Sequence, residues 1–247
     1  MPIDVSVAVA AVVGLSIGPV LRARIFHYSV PVEQPWRSDC PSCGYELVPA
    51  GWQGLLALLP PGGVCPSCRA RIGPPAGVVE ALTALTFTGL ALRVDGVLPL
   101  IAFCWLAATG MALAFIDLAV HRLPDQLTVA ALVGVLALLG AAALVDGTPA
   151  RIGWAALGGA GLAAVYLALV LARPAGMGLG DAKLALSLGT ALGWYGWLAT
   201  VLGGAAGFVL AGLVSLALLA NGRVTRKTAI AHGPFMVLGT FILLMLL

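Results

Sequence analysis

The chain has 247 residues, of which 61% are hydrophobic and only 9% are charged, and its mean hydropathy is +1.06. A soluble domain does not need so much apolar side chain, whereas a protein that crosses a membrane several times does. The formal net charge of +3 gives no reason to expect a nucleic-acid partner; we expect the basic residues to report topology and contact with the anionic lipid bilayer.

Apolar runs long enough to cross about 30 Å of hydrocarbon predict membrane-spanning helices, since no alternation of the β-barrel type appears. The first run, at about 3–25, lacks a basic region before it and a small-residue cleavage site after it, so we expect a retained span and not a signal peptide. Further runs lie at about 76–93, 98–118, 127–145, 151–172 and 197–220, with a shorter one at 181–193 and a last one at 231–247. The predicted fold class is therefore all-α, a polytopic membrane protein with about eight transmembrane helices.

One hydrophilic stretch, at about 26–75, separates the first two spans and contains two C-x-x-C pairs. The pairs are Cys40 with Cys43 and Cys65 with Cys68. Two such pairs about twenty residues apart present four thiolates to one tetrahedral Zn²⁺. Four sulfur ligands leave no open position on the metal, so the predicted zinc is structural. Cys104 lies inside a span, where a small packing residue is expected.

Two aspartates interrupt the apolar sequence. Asp117 follows the run 98–116, and Asp181 lies in a glycine-rich segment, Gly176-Met177-Gly178-Leu179-Gly180-Asp181-Ala182-Lys183. A carboxylate at membrane depth is costly and is a functional candidate by default. Two carboxylates at the same end of two membrane helices would form an aspartyl protease dyad. One carboxyl would act as the acid and the other as the base. We expect the glycines at 176, 178 and 180 to allow positive φ and close approach of the substrate.

The distribution of Lys and Arg predicts the orientation. With the N-terminus outside, the outward connections carry only Arg93 and Arg151. The inward ones carry the other eleven basic residues, Arg22, Arg24, Arg37, Arg69, Arg71, Arg122, Arg173, Lys183, Arg223, Arg226 and Lys227. The same orientation places Asp117 and Asp181 at the cytoplasmic face, together with the cysteine loop, where disulfides are disfavoured.

Two segments carry a resemblance to a known family. The run Ile116 to Thr128 resembles the I-D-x5-L-P-D-x-L-T signature of type IV prepilin peptidases, which are GxGD-type aspartyl proteases, and 176–183 resembles their G-M-G-x-G-D-x-K motif. Paired cysteine knuckles, eight spans and Gly233-Pro234-Phe235 before the last span match the bacterial members. The resemblance implies that Asp117 and Asp181 are the catalytic pair, with Gly178, Gly180, Lys183 and Asp125 as supporting motif residues.

The resemblance also implies the substrate and the location. Prepilins or pseudopilins of type IV pilus or type II secretion systems would lose a short basic leader at the cytoplasmic face of the bacterial inner membrane. Many members also methylate the new N-terminus with S-adenosylmethionine. This chain departs from their pattern, because residues 14–20 read Gly-Leu-Ser-Ile-Gly-Pro-Val where the family has Gly-Ser-Phe-x-Asn-Val. Methyl transfer therefore stays open.

Several polar neighbours have two readings each. Asp125 begins a span, where an acidic side chain is expected to cap free N–H groups, and Lys183 would either tune Asp181 or extend to the surface. His121, four residues after Asp117, would lie beside it if the helix continues, but it is expected to be a solvated residue at the interface. The role of Glu80 is not set by the sequence. We expect residues 1–93 to form the first two spans with the zinc loop, and 94–247 to form a six-span peptidase core. The alternative function is an ion-coupled transporter that uses the carboxylates as cation sites.

Overall fold

The computed structural model describes residues 3–31, 33–49, 51–173, 177–225 and 228–247. Gly176, Arg226 and Lys227, which belong to predictions made above, lie outside these ranges. The described residues form helices, and the one β-type feature among them is a pair of isolated bridges, Asp39 with Glu46 and Val64 with Arg71, in the cysteine loop. The predicted all-α fold class is confirmed. The helices, in chain order, are α1 Ile3–Tyr28, α2 Trp52–Leu55, α3 Val78–Ala91, α4 Val97–Val120, α5 Asp125–Val145, α6 Pro149–Ala172, α7 Leu179–Gly193, α8 Trp197–Ala220 and α9 Gly233–Leu246.

Five of these helices, α1, α4, α5, α6 and α8, are long and apolar enough to cross a membrane. The other three apolar helices, α3, α7 and α9, have 14, 15 and 14 residues. At a rise of 1.5 Å per residue they are roughly 21–23 Å long, which is shorter than the hydrocarbon layer. The helix boundaries follow the predicted apolar runs closely, and the predicted count of eight spans stays a prediction.

The short helix α7 lies at the centre of the helical bundle, packed tightly against α6. Glycines make this contact close: a Cβ added at Gly158 would lie 2.5 Å from the Gly189 carbonyl oxygen, and one added at Gly159 would lie 2.5 Å from the Thr190 hydroxyl. Small residues at such positions let two helix backbones approach. A short break follows α7, since the helix ends at Gly193 and Gly196 adopts a φ of 106° before α8 begins.

Buried apolar side chains of α3, α4, α5, α7 and α9 form one core, which includes Phe103, Leu113, Leu139, Leu188 and Phe241. A second, smaller cluster lies under the cysteine loop and includes Phe26, Leu59 and Ile72. The first core fixes the ends of α4, α7 and α9 next to one another. These three ends carry the groups described next.

Candidate active site and metal centre

Asp117 lies in the last turn of α4 and is 6% exposed. The helix ends because His121 adopts a left-handed conformation, with φ 51° and ψ 46°, and its N–H donates to the Asp117 carbonyl at 2.9 Å. Leu123 and Pro124 then lead into α5, since a residue before proline is disfavoured in a helix. This local sequence places the Asp117 carboxyl just inside the helical bundle.

Asp181 lies in the first turn of α7 and is 8% exposed. Its Oδ2 accepts a hydrogen bond from the Gly178 N–H at 3.0 Å, so the side chain caps the start of its own helix. The positive φ expected for the glycines is not adopted here: Gly178 is extended, with φ −92°, and Gly180 lies within α7. Gly180 instead packs closely on Leu123, because an added Cβ would lie 2.9 Å from the Leu123 Cβ. The expected role of Gly176 falls outside the described residues.

A third helix end contributes to the same place. The N–H of Gly233, the first residue of α9, donates to Oδ2 of Asp117 at 2.9 Å in a buried environment. A Cβ added at Gly233 would lie 2.9 Å from that oxygen, which explains the glycine. In the sequence, Gly233-Pro234 is recognised only as part of a motif, and its contact with Asp117 was not predicted. A Gly-Pro pair at the start of a helix is the signal that could have indicated it.

Asp117 and Asp181 both line one cavity of about 460 Å³. They lie close enough to interact electrostatically. The remaining lining comes from the α4–α5 turn, the start of α7 and the segment before α9: His121, Arg122, Leu123, Asp125, Met177, Gly178, Leu179, Gly180, Lys183, Ala229, Ile230, Ala231 and His232. Each buried carboxylate thus receives one backbone N–H, and both line the same cavity.

Lys183 and Asp125 form an ion pair on the rim of this cavity, with Nζ 2.7 Å from Oδ1. Asp125 lies in the first turn of α5, where its charge meets the helix dipole as expected, but Pro124 is the N-cap and the expected side-chain cap bond is not made. The Asp125 carboxylate binds Lys183 instead, which links the first turns of α5 and α7. Because both side chains are about half exposed or more, at 68% and 49%, the pair contributes at most about 1 kcal/mol.

His121 and Arg122 line the side of the cavity that faces the cysteine loop. His121 is exposed, as expected, and interacts electrostatically with Asp117. The Arg122 guanidinium lies 4.4 Å from the centroid of the Trp36 ring, a cation–π contact. The turn that follows Asp117 is therefore anchored to the loop between α1 and α3.

The four cysteines of that loop form one cluster, with all four Sγ atoms within 4.8 Å of one another. The Sγ atoms of Cys40 and Cys68, and those of Cys43 and Cys65, are 3.7 Å apart. Tetrahedral Zn²⁺ with Zn–S bonds of about 2.3 Å places sulfur atoms about 3.8 Å apart. The backbone N–H of Ser42, with help from Cys43, lowers the pKa of the Cys40 thiol to about 7. The donor set fits the metal that the spacing predicts.

The two cysteine pairs adopt the same turn. The N–H of Cys40 donates to the Tyr45 carbonyl at 2.8 Å, and the N–H of Cys65 donates to the Ala70 carbonyl at 2.8 Å. The residue after each second cysteine is left-handed, with φ 71° at Gly44 and 62° at Arg69. A non-glycine residue tolerates this conformation only where its surroundings hold it. One metal held by both turns would supply that restraint.

Glu80, whose role is not set by the sequence, forms an ion pair with Arg22. The Arg22 side chain is fully buried, and its Nε lies 2.6 Å from Oε1 of Glu80, which is 14% exposed. Arg22 also donates to the carbonyl oxygen of Pro60 at 2.9 Å, and Glu80 accepts from the Gly77 N–H at 2.9 Å. This ion pair joins α1, the loop and α3, and therefore holds the cysteine loop against the first helices. Long-range pairing of this kind leaves no local signal in the sequence.

Comparisons with known proteins agree with the sequence motifs. Residues 100–247 match the type IV leader peptidase family, Peptidase A24, and residues 12–94 match the bacterial Peptidase A24 N-terminal domain. No solved structure shows a significant match.

Three curated relatives are each named prepilin leader peptidase/N-methyltransferase. The protein of Burkholderia pseudomallei (strain 1026b) is 30% identical, with 97% of this chain aligned to 85% of that protein. The protein of Aeromonas salmonicida (strain A449) is 33% identical over 85% of this chain and 71% of its own length. The protein of Aeromonas hydrophila is 36% identical over 64% of this chain, and the match spans about half, 54%, of that protein.

Proposed function

Because this chain belongs to the type IV leader peptidase family, we propose that it is a membrane aspartyl endopeptidase that removes the leader from prepilins or pseudopilins. Asp117 and Asp181 are the catalytic pair of this proposal. The observation that carries it is the meeting of these two buried carboxylates, from α4 and α7, at one cavity. A match to a peptidase family favours this function over the ion-coupled transporter.

The proposed reaction follows from two carboxyls that share a site. Both cannot be ionised at low cost, so one is protonated and the other is charged. The charged carboxylate takes a proton from a water molecule, whose oxygen then bonds to the scissile carbonyl carbon. The protonated carboxyl donates its proton to the carbonyl oxygen. The C–N bond breaks when a proton reaches the leaving nitrogen, and a carboxylic acid and a free amine result.

The backbone donors support this chemistry. The Gly233 N–H bonds Asp117, and the Gly178 N–H bonds Asp181, each at an Oδ2 atom. Each bond restricts the rotation of its carboxyl group and stabilises a negative charge on it. The carboxyl groups are therefore held in position before the substrate arrives, which reduces the reorganisation that catalysis requires.

We further propose the orientation that the basic residues predict, with the N-terminus outside and the cavity at the cytoplasmic face of the bacterial inner membrane. The C-terminal end of α4 and the N-terminal ends of α7 and α9 meet at this cavity. A leader that stays in the cytoplasm would enter the site from that side. The exposed Lys183, Asp125 and His121 on its rim are consistent with an opening to water.

The loop is proposed to hold one structural Zn²⁺ through Cys40, Cys43, Cys65 and Cys68, because four sulfur ligands complete its coordination. The names of the relatives also include N-methyltransferase. Methylation of the new N-terminus by S-adenosylmethionine is the second proposed activity, and the geometry assigns no residues to that methyl donor.

One experiment tests both activities. The full-length protein is expressed with a prepilin in cells that lack their own leader peptidase, and the N-terminus of the pilin is read by mass spectrometry. The proposal predicts a shortened chain, and an added 14 Da on its first residue if methyl transfer occurs. A full-length prepilin, found while the enzyme is inserted in the membrane, would contradict the peptidase function.

A further inference from the structure

A buried polar pair next to the cavity has no part in the reaction described above. Tyr166 of α6 is 1% exposed, and its hydroxyl oxygen lies 3.0 Å from Nε2 of His232. Tyr166 also interacts electrostatically with Asp181, and His232 lines the cavity. A polar contact at this depth costs free energy unless both groups are satisfied, so the pair is a specific feature and not incidental polarity.

Two aromatic rings, from α6 and α8, contact the His232 ring. Its centroid lies 5.0 Å from that of Phe208 on α8 and 5.6 Å from that of Tyr166 on α6. The rings of Tyr166 and Phe208 also stack, at 5.1 Å. Two aromatic rings therefore pack against the imidazole, and the hydrogen bond to Tyr166 restricts its rotation further.

His232 immediately precedes the residue that binds Asp117. It is the N-cap of α9, and Gly233, the next residue, donates its N–H to Asp117 Oδ2 at 2.9 Å. The four residues that precede α9, at 229–232, form a wall of the cavity. The Gly233 N–H belongs to the peptide group that joins it to His232. A contact that holds His232 in place therefore also restricts the position of that N–H.

A neutral His232 ring can share one hydrogen bond with the Tyr166 hydroxyl without bringing a positive charge against Asp117. The charged or titratable groups that face the same cavity are Asp117, Asp181, Asp125, His121, Arg122 and Lys183.

We propose that Tyr166 and His232 are positioning residues, which hold the Gly233 N–H on Asp117 through the hydrogen bond between the phenol and the imidazole. This inference rests on the proposed function, because it assumes that Asp117 is catalytic. A role in packing alone would need the rings and not the hydroxyl. The two roles can be separated, because phenylalanine keeps the ring and removes the oxygen.

The test compares Tyr166→Phe, His232→Phe, the double variant and His232→Gln in full-length protein in detergent, with prepilin as substrate. A glutamine can share a hydrogen bond with the Tyr166 hydroxyl, so His232→Gln is the conservative variant. We expect kcat to fall about tenfold in each Phe variant, with KM within about twofold, since one partly buried hydrogen bond is lost while an aromatic ring stays at each position. The double variant should be no slower than the single ones, and His232→Gln should recover most of the lost rate.

Tyr195→Phe is the matched control, since Tyr195 lies beyond the opposite end of α7 from Asp181 and stacks on Phe103. Thermal unfolding of every variant separates positioning from loss of fold. Unchanged kcat in Tyr166→Phe, independent losses that multiply in the double variant, or a raised KM with unchanged kcat would each overturn the inference. Asp117→Asn is assayed alongside: cleavage by that variant would refute the proposed function, whereas an inactive Asp117→Asn with a fully active Tyr166→Phe refutes only the positioning role.

Discussion

Gly233→Ala is the smallest change that should disturb the proposed catalytic pair. The new Cβ would lie 2.9 Å from Asp117 Oδ2, whereas ordinary contacts of this kind begin at 3.4 Å, so the two groups must separate by about 0.5 Å. The same oxygen accepts the Gly233 N–H at 2.9 Å, and this bond would lengthen to near its limit. The φ of Gly233 lies outside the left-handed region, so alanine meets no backbone strain.

The expected cost follows from the lost hydrogen bond. A bond to a charged group contributes about 1.5–3 kcal/mol. If that bond acts fully in the transition state, kcat should fall roughly 10- to 150-fold, since each 1.36 kcal/mol is a factor of ten. The added methyl group points at Asp117 and does not fill the substrate cavity, so KM should change little.

The assay is cleavage of a prepilin by purified protein, with kcat and KM determined separately. Gly212→Ala in α8 is the control, because a Cβ added at Gly212 meets no atom within 4 Å. We expect that control to cleave at the rate of the unchanged protein. A Gly233→Ala enzyme with the same kcat as Gly212→Ala would refute the assignment of the Gly233 N–H to the site.

Three further outcomes are expected. Purified protein should contain about one Zn²⁺ per chain by elemental analysis, and Cys43→Ser should lose it and expose the loop to protease, because the metal holds the two turns together; unchanged zinc in Cys43→Ser would contradict this. Glu80→Gln should lower the free energy of unfolding by about 3 kcal/mol, since it leaves the buried charge of Arg22 uncompensated, and thermal unfolding that matches the unchanged protein would contradict it. In a background without Cys104, Asp95→Cys should react with a membrane-impermeant maleimide in intact cells and Asn221→Cys should not; labelling of Asn221→Cys from outside would overturn the proposed orientation.

The convergence of Asp117 and Asp181 could be expected from the order of the apolar runs along the chain. If each apolar run crosses the bilayer, the order of the runs determines which ends share a face. The cysteine cluster could be expected for a different reason, since four thiolates at this spacing have few other uses in a reducing compartment. Neither inference required knowledge of which side of a helix faces its neighbours.

The partners of individual side chains could not be predicted in this way. Gly233 reaches Asp117, Arg22 reaches Glu80, and Lys183 reaches Asp125, each from a different helix or loop. Helices that are apolar on every side have no polar face to reveal how they are rotated against their neighbours. The cap bond expected for Asp125 is likewise not made. A carboxylate in the first turn of a helix can bind either the free N–H groups or a nearby cation, and tertiary packing brings Lys183 within reach.

The most direct test of the proposed catalytic pair is prepilin cleavage by Asp117→Asn and Asp181→Asn, with Asp125→Asn as the control. Each of the first two substitutions removes one proton-handling carboxyl and keeps nearly the same shape, so both proteins should insert and fold but leave the leader uncut. Asp125→Asn breaks only a rim ion pair between exposed side chains and should keep substantial activity. Leader removal by either Asp117→Asn or Asp181→Asn would contradict the two-carboxylate mechanism.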